Sequence, residues 1–191
     1  SYARKIPTKA TWDWSKAGDA TRQDDPHSYL KIKGEFTYEQ DVVPEYRWFN
    51  LTVGRYLSGD KIDAQGVTEL NPPQGSLKDR TAKIWPFKVH RAKQPYDAVN
   101  LYLLKPVPGG DGGYWTTSDW DKSFGLGEKT AGLAYSGKYG FAKTEMVWPI
   151  THMVTPKEKA LGCTDCHGEK GRMDWKALGY AGDPMTVGGR P

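Results

Sequence analysis

The stretch Thr155-Pro156-Lys157-Glu158-Lys159-Ala160-Leu161-Gly162-Cys163-Thr164-Asp165-Cys166-His167 joins a helix start to a C-x-x-C-H sequence. Thr155 suits a helix cap, Pro156 the first helical position, and Glu158 the closing place of a capping box. The pattern predicts a helix that continues through Ala160 and Leu161 into the cysteines and stops near Gly168. Residues three apart share one face of a helical turn, so the thiols of Cys163 and Cys166 are set to reach the two vinyl groups of one porphyrin. His167 follows directly and presents an imidazole nitrogen to iron. C-x-x-C-H is the attachment motif of c-type haem. One covalently attached haem c is therefore expected, with His167 as its proximal iron ligand.

Rival chemistries fit less well. A thioredoxin-like dithiol calls for a βαβ setting, and none surrounds the motif. Zinc calls for four ligands, usually from two separated pairs, whereas both cysteines of the chain lie within this one motif. The same count leaves nothing to build a disulfide framework. The sixth iron ligand is open among His27, His90, His152 and the four methionines. His152 is favoured, because it lies just before the capping box and local chain can fold over the distal face. His90 closes the aromatic segment Trp85-Pro86-Phe87-Lys88-Val89-His90 and is expected to be buried. His27 sits in a polar loop and reads as a surface residue. Met153 or Met173 would instead give a His/Met haem of higher potential.

Outward from the motif, the chain reads as a mixed, largely irregular α+β fold: short β-hairpins and loops followed by a C-terminal helix bearing the haem. Hydrophobic residues make up 37% of the 191, with 22 Gly and 13 Pro, so long regular elements should be scarce. Eight Trp and eleven Tyr imply a core packed around rings. The segment up to Gly34 is polar and expected on the surface, anchored by Trp12 and Trp14. Phe36/Tyr38 and Tyr46/Trp48 alternate with polar residues at the strand period, with a turn expected at 41–45. A second strand pair is expected at 83–90 and 98–105. The run Pro108-Gly109-Gly110-Asp111-Gly112-Gly113 is a loop. Ser118 is the expected cap of a helix over 119–130, in which Gly125 and Gly127 are unfavourable. A shorter helix over 173–178 should end at Gly179. Residues 1–143 form an aromatic- and Gly/Pro-rich lobe and 144–191 the haem-binding C-terminal segment, together one compact unit.

Charge narrows the function classes. The net charge is +4, and 27 basic and 23 acidic residues are scattered without blocks, so a nucleic-acid or membrane-surface partner is not indicated. No apolar run approaches the ~20 residues of a membrane span. No signal peptide is visible, which is expected of a mature or trimmed chain or a piece of a longer one.

The run from His152-Met153-Val154 to Leu161, the motif itself, and Gly171-Arg172-Met173-Asp174-Trp175-Lys176-Ala177-Leu178-Gly179-Tyr180 together resemble the C-terminal end of the octahaem c-type cytochromes of the tetrathionate reductase family. Segments Pro44 to Asn50, Trp85 to Arg91 and Gln94 to Asp97 are similar as well, so the resemblance covers most of the chain. It implies bis-histidine ligation, with His167 proximal and with His90 and His152 as haem ligands, one of them serving a haem on another polypeptide. It also implies, as partners, other multihaem cytochrome chains or the remaining part of the same cytochrome. Family members carry eight haem motifs and reduce tetrathionate, nitrite or hydroxylamine at a lysine-ligated haem; this chain carries one motif. Electron transfer by a subunit or C-terminal portion of a multihaem assembly is thus the expected function, and part of a multihaem reductase is the alternative. Haem c is attached outside the cytoplasm, so a periplasmic or extracellular location is expected. Lys157, Lys159 and Lys170 near the motif are expected to be solvated charges rather than anion ligands.

Overall fold

The computed structural model describes residues 7–151 and 155–190. Among these, seven strands form one sheet: β1 Thr8–Asp13, β2 Tyr29–Leu30, β3 Gly34–Glu39, β4 Glu45–Phe49, β5 Val67–Glu69, β6 Lys83–Asp97 and β7 Tyr139–Pro149. The helices are short except one: α1 Tyr114–Thr117, α2 Trp120–Ala131, α3 Cys163–Cys166 and α4 Pro184–Val187.

The sheet is organised by the antiparallel ladder of β6 and β7, registered from Phe87↔Pro149 to Asp97↔Tyr139. The other edge of β6 is shared. Its first half pairs antiparallel with β4, from Glu45↔Phe87 to Phe49↔Lys83, and its second half pairs parallel with β1 at Thr11↔Arg91 to Asp13↔Lys93. β3 then adds to β1, and β2 folds back on β3 as a short hairpin. β5 pairs parallel with the far edge of β7.

Several expectations are corrected. The alternating segments at 34–39 and 45–49 are strands, but they do not pair with each other: β3 joins β1 and β4 joins β6. Alternation reports that one face is buried, not which neighbour supplies the hydrogen bonds. Likewise β6 pairs with β7 and not with 98–105, which contributes only the bridge Tyr96↔Leu103. Of the polar opening segment, β1 lies inside the sheet, between β3 and β6, whereas 23–28 is exposed. Trp12 and Trp14 stack at 4.7 Å, and Trp12 donates its indole N–H to the Lys33 carbonyl at 2.6 Å.

The core is aromatic, as the composition implies. Phe49, Phe87 and Val147 form one cluster flanked by Trp85 and Val89. Tyr102, Leu104 and Phe124 form another beneath α2, where Trp120 stacks on Tyr114 at 3.6 Å. α2 begins one residue later than expected. Asp119 is the cap, accepting from the Lys122 N–H at 3.1 Å, while Ser118 closes α1 in the left-handed region at φ 54°. Gly127 inside α2 has a packing reason: a Cβ there would come within 1.6 Å of the Lys105 carbonyl oxygen. Glycine lets the helix touch the backbone at 105, and the neighbouring Glu128, fully buried, accepts the Lys105 N–H at 2.8 Å.

Asp97 closes the sheet at the end of β6. Its buried carboxylate accepts from the N–H groups of Val99, Asn100 and Ser136 and from the Ser136 hydroxyl, at 2.7–2.9 Å. Burial acts to raise this carboxyl, but the converging donors outweigh it and hold it below the ordinary 3.8. Asp97→Ala should cost about 3 kcal/mol in urea denaturation, the scale of lost bonds to a charged group. Because the folded carboxyl is depressed, its stabilising effect is complete above the ordinary value. The wild-type advantage over the variant should therefore shrink as pH falls below about 4.

Candidate haem-binding site

The motif forms less helix than expected. Lys157–Lys159 make a single 3-10 turn after Pro156, and Ala160 leaves it in extended conformation. α3 starts afresh at Cys163, where the Asp165 carboxylate accepts the Gly162 N–H at 2.8 Å. The glycine at 162 breaks the continuity that the capping pattern suggested. α3 is one turn long, and that turn is enough to put Cys163 and Cys166 on one side. Both thiols are free, Cys163 exposed and Cys166 half-buried.

His167 ends α3, its N–H bonded to the Cys163 carbonyl at 2.9 Å. Gly168 turns the chain at φ 86°. The loop then closes through Gly171 N–H to Gly168 O at 3.0 Å and Arg172 N–H to Asp165 O at 3.0 Å. The ring of His167 is held on two sides. Its Nδ1 lies 2.6 Å from Asp183 Oδ1, and its face stacks on Trp175 at 4.9 Å and 18°. Asp183 also accepts the Gly168 N–H at 2.7 Å and caps α4 through the Met185 N–H at 2.9 Å. Its carboxyl is held below the ordinary value, first by the Gly168 N–H and further by Met185 and His167. An ionised carboxylate only accepts, so Nδ1 is the donor of this pair.

The expected helix over 173–178 is a single turn over 175–179, ending at Gly179 with φ 88°. It anchors the segment to the sheet. Leu178 is buried, and its carbonyl accepts the Trp48 indole N–H of β4 at 2.8 Å. Trp175 meets Tyr180 edge-on at 5.6 Å, and Tyr180 lies 6.2 Å from Trp48, so rings run from His167 to β4. Arg190 covers Trp48 at 4.5 Å and donates to the carbonyls of Leu77 at 2.7 Å, Ala82 at 3.0 Å, and Asp79.

The remaining candidates lie elsewhere. His90 is on β6 opposite Met146, with its ring 6.2 Å from Trp148 of β7. Burial, then the charges of Lys88 and Lys9, push its pKa down, favouring neutral imidazole. Its Nε2 is buried without a hydrogen-bond partner among the described residues. The ring contact of His90 is with β7 and that of His167 with Trp175 of the C-terminal segment. His152 and Met153 lie outside the described residues. His27 is exposed, and so are Lys157, Lys159 and Lys170. Among the described residues no three His, Cys, Asp or Glu side chains converge as a tetrahedral zinc site would require.

Two free thiols on one turn, a histidine whose Nδ1 is already bonded to a carboxylate, and a buried Trp175 indole N–H without a partner among the described residues fit a covalently held haem. That donor set is the one a c-type cytochrome calls for. The pattern of bacterial cytochrome c matches residues 9–170, and the chain belongs to that family. No curated protein matches. Among solved structures, octaheme cytochrome c from Shewanella oneidensis is similar at 49% identity and TM-score 0.89, over 94% of this chain and 43% of that one. This chain thus covers less than half the length of that relative. Electron transfer through covalently bound haem c is the function that membership carries. Among the described residues no helix is long and apolar enough to cross a membrane.

Sequence reasoning missed Asp183, Trp175 and Trp48 as parts of the site. Asp183-Pro184 carries a helix-start signal of cap followed by proline, but nothing local ties it to His167. Trp48→Phe should remove the bond to the Leu178 carbonyl, about 1 kcal/mol. The expected readout is faster amide hydrogen exchange across 174–180, with exchange in the β6–β7 ladder unchanged.

Proposed function

We propose that this chain is a one-haem electron-relay unit of a larger multihaem assembly, outside the cytoplasm. Cys163 and Cys166 hold the haem by thioether bonds, His167 ligates the iron from one side, and His152 ligates it from the other. The haem, when attached, supplies a one-electron centre whose potential follows its axial ligands. The protein's own work is to hold His167 rigid. The motif loop fixes its backbone, Asp183 its edge and Trp175 its face. The observation that carries the reading is the free thiol pair beside an imidazole whose Nδ1 is already bonded.

His90 belongs to the same proposal as a ligand to a haem on a partner chain, or on another part of the same cytochrome. A buried imidazole nitrogen without a partner is an uncommon expense in a folded chain. Neutral imidazole is also the form that binds metal. We read residues 1–143 and 144–191 as one compact unit, with the haem carried beyond β7. The likeness to an octaheme cytochrome supports the multihaem setting, and the resemblance to the tetrathionate reductase family favours oxidised sulfur or nitrogen compounds as the eventual electron acceptors of the assembly. The second reading, a part of the reductase itself, rests on that same likeness.

The purified holo-chain should show one haem per chain by pyridine haemochrome and a low-spin, six-coordinate spectrum that ignores added cyanide or nitrite. His152→Ala should turn it high-spin and His90→Ala should leave it unchanged. A high-spin wild type that binds nitrite moves the reductase reading ahead. A high-spin His90→Ala makes His90 the ligand of the chain's own haem, and an absence of covalent haem removes the relay altogether.

A further inference from the structure

We propose that Asp183 is a positioning residue for the haem iron's histidine, one that fixes the His167 tautomer and lowers the reduction potential of the centre; this rests on the haem attachment proposed above. The contact is short, 2.6 Å between His167 Nδ1 and Asp183 Oδ1. The carboxylate is itself immobilised. Its Oδ1 also accepts the Met185 N–H at 2.9 Å and its Oδ2 the Gly168 N–H at 2.7 Å. Gly168 is the residue after the ligand, so one carboxylate holds both the imidazole and the backbone that carries it. Trp175 closes the ring face at 4.9 Å and blocks rotation about the Cβ–Cγ bond.

A ligating histidine with its second nitrogen bonded to a carboxylate is a more basic, more electron-donating ligand than one bonded to water or to a neutral acceptor. Donation to the metal favours the ferric over the ferrous state, because the oxidised centre carries the extra positive charge. Asp183 therefore biases the site toward giving its electron away. The rival role is purely structural: Asp183 caps α4 with Pro184 at the first helical position, and a cap alone leaves the iron's electronics untouched.

The two roles separate in the full holo-chain by comparing Asp183→Asn, Asp183→Ser and Asp183→Glu. Serine retains capping but not the negative charge, and glutamate retains the charge. Spectroelectrochemical titration should find the reduction equilibrium of D183N and D183S shifted about tenfold toward ferrous haem, about 59 mV for one electron, with D183E close to wild type. The hyperfine-shifted imidazole signals in the NMR spectrum of the ferric protein should move in the same two variants. Covalent haem per chain should stay at the wild-type level, since neither cysteine is touched. Equilibria within twofold of wild type in both D183N and D183S, with haem fully attached, overturn the proposal and leave the relay reading standing. A wild-type chain without covalent haem removes the relay reading instead.

Discussion

The backbone ladder between β6 and β7 is the constraint on which the other elements depend. Its register, from Phe87↔Pro149 to Asp97↔Tyr139, decides what lies on each edge. β6 has fifteen residues and is long enough to serve two neighbours on one side, β4 and β1, which never pair with each other. That shared edge replaces a hairpin meander with a sheet whose strands come from distant parts of the sequence. The same register brings Arg47 of β4 and Arg91 of β6 onto Glu145 of β7, the latter at 3.1 Å. The charges that looked scattered along the chain are partly gathered into a cross-strand cluster.

The haem segment relates to this sheet in a different way. Its described residues from 155 onward join no strand. They attach through an indole N–H, a buried leucine and one guanidinium that collects the carbonyls of the 76–82 loop. Such contacts hold orientation without imposing the sheet's register. The site therefore has an internal frame of its own, in which Asp183 serves at once as helix cap, loop clamp and histidine partner. Three roles on one carboxylate make the geometry of His167 depend on residues later in the chain than the motif.

Membership of the cytochrome c family was legible in five consecutive residues, because thioether attachment demands a fixed spacing. The strands around Phe36/Tyr38 and Tyr46/Trp48 were legible by their alternation, the first part of β6 as an expected strand at 83–90, and the aromatic core by composition. Pairing was not legible, since alternation at Phe36 and Trp48 says nothing of which edge will accept their backbone groups. The continuous helix through 155–168 failed at Gly162, where a favourable start signal met a residue that leaves the helix easily. Asp183 escaped notice because a contact across the loop from Gly168 to Gly182 has no periodic signature. His90 was singled out from its aromatic setting, and burial of its Nε2 without a partner is a property that only packing could supply.

The exposed thiol of Cys163 lies apart from the sheet. Every described strand lies before Ile150, so the hydrogen-bonded sheet contains no residue of the attachment motif. The attachment proposed above therefore falls outside the sheet's own hydrogen bonds, on a segment that meets β4 through Trp48. Of the two thiols on that turn, Cys163 is exposed and Cys166 half-buried.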